Sequence, residues 1–166
     1  MIIFIAIRFV KKIIVTRSEI ISQLKNYFRI KELACPHVYG KYGEMSWMFL
    51  TTEILHTLLV LRTQILKVPL VCNNYSIDFT QRGLRCNLCE LVKEKTLKNI
   101  LYLSSHHNGI GLDLSSPLMT AEEMRKIIEQ NSDLLPYPVR IERNVNWLHI
   151  DCYDMGNPYK VTYFNP

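Results

Sequence analysis

His106 and Asp113 lie in Ser104-Ser105-His106-His107-Asn108-Gly109-Ile110-Gly111-Leu112-Asp113, and His149 lies far downstream in Trp147-Leu148-His149-Ile150-Asp151. Two imidazoles and a carboxylate, a close pair and a remote third, are the donor set of a three-ligand metal site with an open fourth position. Such sites are usually catalytic. Taken singly, His149 in an apolar strand reads as a core histidine and Asp113 as a turn or cap acid; their joint order and spacing favour a metal. His107 would replace His106 if the register slipped by one. A second chemistry is offered by Cys86-Asn87-Leu88-Cys89. A Cys-x-x-Cys pair holds structural zinc or runs thiol exchange, but zinc needs two further ligands, which Cys35-Pro36-His37 or Cys72 could contribute. His37 and His56 otherwise read as surface or helix-packing residues.

The elements that must position these groups follow from periodicity. Ser18 to Phe28 has apolar residues at helical spacing behind a Ser18 cap. From Glu44 to about Leu66 the apolar positions predict the longest helix, mostly core. Val68-Pro69-Leu70-Val71-Cys72 reads as a buried strand entered through proline, and residues 73–105 as a long, turn-rich excursion with a helix near Leu91 to Ile100. Thr120-Ala121-Glu122-Glu123 is a capping box that starts another helix, running to about Asn131. Val139-Arg140-Ile141-Glu142 and Trp147 to Cys152 read as a β-hairpin, and Tyr159 to Phe164 as one more strand. Helices first and hairpins later predict an α+β domain, an antiparallel sheet with helices packed on it.

Alternation places Trp147, His149 and Asp151 on one face of their strand, with Leu148 and Ile150 toward the core. A two-residue turn at Asn144-Val145 would set Glu142 opposite Trp147 and Arg140 opposite His149, so that Glu142, Arg140, His149 and Asp151 share a face. Gly109 and Gly111 allow close backbone approach between His106 and Asp113. A strand carrying Asp113 beside the hairpin would unite the three ligands.

With 166 residues, 48% of them hydrophobic, the chain is long enough for one domain with a real core. Residues 1–17 read as an apolar and basic extension, and residues 18–166 as the single domain. Met1 to Ile7 is apolar, but it lacks a basic n-region and a small-residue cleavage site, and Arg8, Lys11 and Lys12 interrupt it too early for a membrane span. Neither signal peptide nor integral membrane segment is expected. Twenty basic against fifteen acidic residues give a net charge of +5. That mildly favours an anionic partner, but no aromatic-interleaved basic stripe points to nucleic acid. The odd count of five cysteines argues against an obligatory disulfide framework and for synthesis in a reducing compartment.

The set Ser-x-His-x-x-Gly-x-Gly-x-Asp, followed at a distance by Trp-Leu-His-Ile-Asp, resembles the zinc-binding pattern of the D-Ala-D-Ala carboxypeptidase family of metallopeptidases. That family shares its fold with the hedgehog signalling domain and includes bacterial carboxypeptidases, vancomycin-resistance dipeptidases and phage endolysins. Phe28-Arg29-Ile30-Lys31-Glu32-Leu33-Ala34-Cys35, Val71-Cys72-Asn73-Asn74 and Gln81-Arg82-Gly83-Leu84-Arg85 are also similar to segments of phage-type members, so the resemblance spans about Tyr27 to Tyr153.

The resemblance implies Zn2+ held by His106, Asp113 and His149, and hydrolysis of peptide bonds involving D-amino acids in peptidoglycan. Peptidoglycan peptides are then the partners of a monomer that is made in the cytoplasm and acts in the periplasm or cell wall. Many members carry an acidic residue three positions before the last histidine, where this chain has Asn146, which cannot be a general base. Glu142 is the substitute, and Asp151 is a partner that orients a histidine. Arg85, then Arg82, would hold a substrate carboxylate or carbonyl through paired hydrogen bonds. Ser104 or Ser105 would hydrogen-bond near the metal. Two other classes stand beside this one: a noncatalytic zinc-binding module of the same fold, and a thiol or structural-zinc module centred on Cys86 and Cys89.

Overall fold

The computed structural model describes residues 15–77 and 79–165. The extension expected over residues 1–17 falls mainly on residues 1–14, outside the described residues. The first helix, α1 (Arg17–Leu24), begins just before the expected Ser18 cap, because Thr16 caps it. The Thr16 hydroxyl accepts from the Glu19 amide, and the Glu19 carboxylate accepts from the Thr16 amide at 2.7 Å. This reciprocal box satisfies two amide donors that would otherwise be orphaned at the helix start. Two short helices follow, α2 (Ile30–Leu33) and α3 (Pro36–Tyr42).

The single helix expected from Glu44 to Leu66 is instead interrupted. A 3-10 segment (Gly43–Phe49) ends at Leu50, which is extended, and Thr51 caps a new helix, α4 (Thr52–Val60), that runs on into a π-helical turn (Leu61–Ile65). Polar groups from elsewhere in the fold stabilise the break. Arg17 donates to the carbonyls of Trp47 and Leu50, both at 2.7 Å, and the Thr51 amide donates to the Gly109 carbonyl at 2.9 Å. Hydrophobic periodicity runs straight through such a break, so the sequence reads it as one helix.

After α5 (Glu90–Leu97) the chain enters β1 (Gly111–Leu114), α6 (Ala121–Gln130), β2 (Val139–Glu142), β3 (Leu148–Asp151) and β4 (Val161–Phe164). The Thr120–Glu123 capping box forms. The strands make one sheet in the order β1-β3-β2-β4. β3 is antiparallel to both neighbours, but β4 pairs with β2 in parallel, so the sheet is mixed rather than purely antiparallel. The cause is topological: the chain leaves β3 at the end of the sheet where β2 starts, and β4 sets out from there in the direction of β2. Val68 to Cys72 forms no strand; Val71 makes only an isolated bridge to Ser115. Pro69 has no amide proton for a ladder.

The core lies between one sheet face, with Leu112, Leu114, Ile141, Leu148 and Ile150, and the buried sides of α1, α4 and α6, with Leu24, Ile54, Leu58, Met124 and Ile128. Truncating one such side chain, as in Leu58→Ala, costs roughly 2–5 kcal/mol. The opposite face of β3 carries His149 and Asp151, and it is buried too. Among the described residues, no helix is long and apolar enough to cross a membrane.

Candidate metal centre

β1 and β3 pair so that Asp113 stands opposite His149. Alternation then turns both side chains to the face away from the core. His106 reaches the same point from the turn before β1. Gly109 makes this return possible: its φ is +68°, and a Cβ there would overlap the Phe49 carbonyl oxygen. Only glycine meets both demands cheaply.

His106 Nε2 lies 3.3 Å from Asp113 Oδ2, and His149 Nδ1 lies 2.7 Å from Asp113 Oδ1. One ligand atom from each residue falls within 4.8 Å of the others. The remaining ring nitrogens are also partnered. His106 Nδ1 donates to the Gly83 carbonyl at 3.0 Å, which leaves the Nε2 lone pair facing Asp113, and His149 Nε2 lies 3.2 Å from Asp151 Oδ2. Outer partners of this kind fix the ring orientation and basicity of metal-binding histidines. The donor set fits a metal ion that takes nitrogen and oxygen ligands.

The charges are tuned by the same contacts. Burial opposes the negative form of Asp113, but its contacts with His106 and His149 hold its carboxyl well below the ordinary range. Burial likewise opposes the His149 cation, yet the carboxylates of Asp113 and Asp151 push this imidazole up to about 9. His106 is pulled down by burial. The pair therefore offers one neutral imidazole and one that must shed a proton to bind a cation.

Asp151 is fully engaged. Arg140 grips it through Nε and Nη2, both at 2.9 Å, while the Tyr153 amide and His149 take the rest of its acceptor capacity. The Arg140 guanidinium is itself held between the rings of Tyr153 and Phe164. Arg140 stands opposite Asp151 in the ladder, not opposite His149 as a two-residue turn would require. The turn is wider because Arg125 donates to the carbonyls of Glu142, Val145 and Trp147, and Asn144 takes a positive φ. The register shift is two residues, an even number, so Glu142 keeps its face.

A cleft of about 330 Å³ opens over the three candidate ligands and is lined by Arg85, Ser104, Ser105, Glu142, Trp147 and Asp151 among others. Glu142 is half-buried, and burial raises its pKa. Among the described residues its carboxylate has no hydrogen-bond partner. Asn146 is exposed in the turn and does not line the cleft. Arg85 reaches the cleft with Nη2 3.5 Å from Asp113 Oδ2, while Nη1 donates to the Tyr102 hydroxyl and Nε to the Gln81 carbonyl. Arg82 is placed elsewhere: it bonds Ser115 and lies over Phe79, outside the cleft lining. Of the two serines, Ser105 approaches His149 Nε2 at 3.3 Å, and Ser104 accepts from the His107 amide. His107 is exposed and stays outside the ligand group.

Sequence reasoning passed over Gly83, Tyr102 and Phe164. Each acts through a backbone carbonyl, a phenol or a ring face supplied from a remote segment, and none carries a local signal of that use. Comparison of the chain with family models, curated proteins and solved structures finds no match.

Proposed function

We propose that the chain is a zinc-dependent peptidase of the hedgehog/DD-peptidase fold, acting on peptide bonds that involve D-amino acids in peptidoglycan. One observation carries the hydrolytic reading. A convergent His-Asp-His group lies at the floor of an open cleft, and beside it is a half-buried carboxylate with no hydrogen-bond partner among the described residues. The substrate class rests on the resemblance of the ligand segments to the D-Ala-D-Ala carboxypeptidase family.

His106, Asp113 and His149 would hold the zinc. When bound, zinc supplies Lewis acidity and lowers the pKa of water. Glu142 accepts a proton from the attacking water and passes it to the leaving amine, a role that suits a carboxylate whose pKa is raised by burial. Asp151 cannot share that role while Arg140 and His149 occupy its oxygens; it orients the His149 ring. Arg85 stands where a guanidinium can receive a substrate carboxylate or carbonyl.

Incubating the metal-loaded chain with purified peptidoglycan tests this reading. Released peptide fragments or D-alanine, abolished by chelation and restored by zinc, are the expected result. A folded, zinc-loaded chain that releases neither would overturn the peptidase reading and leave a noncatalytic zinc module.

A further inference from the structure

A second group of metal-ligating side chains lies outside the cleft. Cys35, His37, Cys86 and Cys89 come together from segments about fifty residues apart in the chain, each with a ligand atom within 4.8 Å of the others. Cys35 Sγ is 3.6 Å from Cys86 Sγ, Cys86 Sγ is 4.0 Å from Cys89 Sγ, and Cys89 Sγ is 3.8 Å from His37 Nδ1. With Zn–S near 2.3 Å and Zn–N near 2.0 Å, a tetrahedral zinc site has S–S edges of about 3.8 Å and S–N edges of about 3.5 Å. The two S–S edges straddle that length, and the S–N edge is slightly longer than its own.

We infer that Cys35, His37, Cys86 and Cys89 hold a structural zinc ion, a second metal site distinct from the His-Asp-His centre. Three thiolates and one imidazole are a closed, four-ligand set with no open position for substrate, which is the signature of a structural rather than a catalytic site. Soft sulfur donors also select zinc over harder cations. A disulfide would use only two of the three sulfurs and leave the third cysteine and His37 unexplained. The Cys86 amide already donates to Cys89 Sγ at 3.3 Å, and Cys89 sits at the N-terminus of α5, where negative charge is favoured. Cys72 and Cys152 stand apart from the group.

The fold shows why an ion belongs there. Residues 85–103 are poorly anchored by apolar burial: Leu88, Leu97, Leu101 and Leu103 are exposed, and among the described residues the local core is Cys35, Cys89 and Val92 with a few partly buried neighbours. Small units of this kind are commonly stapled by a metal. The staple would fasten α3 to the segment that leads back into the cleft. Leu84 exchanges backbone hydrogen bonds with Leu33 and Cys35, and Gly83 lies so close to Leu33 that a Cβ would overlap its carbonyl. The same segment supplies the Gly83 carbonyl to His106 and the Arg85 guanidinium to the cleft. The ion is thus placed to hold the outer wall of the first centre, whatever that centre does.

The test uses the full chain carrying His149→Ala, which removes a ligand of the first centre only. Zinc retained by this variant, with an X-ray absorption edge fitted by three sulfurs near 2.3 Å and one nitrogen near 2.0 Å, is the expected result, as is its loss on adding Cys86→Ser and Cys89→Ser. If those variants fail to fold, the wild-type chain loaded with cobalt decides: strong sulfur-to-cobalt charge-transfer bands support the site. Absence of those bands, a His149→Ala chain free of zinc with freely alkylated thiols, or a disulfide among the three cysteines found by mass spectrometry would each overturn it.

Discussion

The two ligand groups are built in opposite ways. Asp113 and His149 sit at paired positions of adjacent strands, so the ladder itself sets their separation, and His106 is delivered by one glycine-dependent turn. The cysteine group is carried by turns and helix starts, and the backbone between its halves is joined mainly through Leu33, Leu84 and Cys35. The lesson is one of rigidity. A site meant to exchange ligands at an open position benefits from a scaffold that exists without the metal, whereas a closed site can be assembled by the metal it binds.

That contrast can be broken by removing one ligand from each group. His149→Ala is expected to abolish metal binding at the sheet site and to lower hydrolysis on the order of 10³-fold or more, while secondary structure by circular dichroism is kept. The paired change Cys86→Ser and Cys89→Ser should act on the fold first: a Tm lower by about 10 °C or more in a thermal scan, with metal still bound at the sheet site. Equal loss of stability from both changes would erase the distinction.

Much of this was legible in the sequence, and unevenly so. The meeting of Asp113 and His149, the Thr120 capping box and the shared face of Glu142, His149 and Asp151 follow from alternation and local hydrogen-bonding chemistry, which act over a few residues. What was not legible depended on distant partners. The break at Leu50 and Thr51 needs Arg17 and Gly109, and the wide β2–β3 turn needs Arg125. The direction of β4 is a property of the route from Asp151 to Val161, not of its own side chains. Cys35, His37, Cys86 and Cys89 were each visible as candidates, but Cys72 was equally so; only the Leu33–Leu84 pairing chooses between them.

A smaller change sharpens the account of the sheet site. Asp151→Asn leaves the ligands in place but weakens the acceptor of His149 Nε2, and it should reduce zinc affinity about 10- to 100-fold in a competition titration. Among the described residues no comparable outer carboxylate serves His106, whose partner is the Gly83 carbonyl.

The smallest effect is a proton count. His149 is raised from 6.5 to about 9, so near neutral pH the metal-free centre carries an imidazolium whose proton a bound metal ion must displace. Calorimetry in buffers of different ionisation enthalpy should show about one proton released, with affinity rising as pH climbs toward 9. The metal-free fold moves the other way. The stability it draws from the His149 cation is fully present below pH 6.5 and is lost as pH rises through about 9.

The most direct measurement is parallel metal content and peptide hydrolysis for the wild-type chain and Glu142→Gln, both loaded with zinc. The variant should hold the same zinc at the His106, Asp113 and His149 centre and hydrolyse peptidoglycan peptides about 10²- to 10⁴-fold more slowly. Equal rates in the two proteins would contradict the assignment of Glu142 as the base.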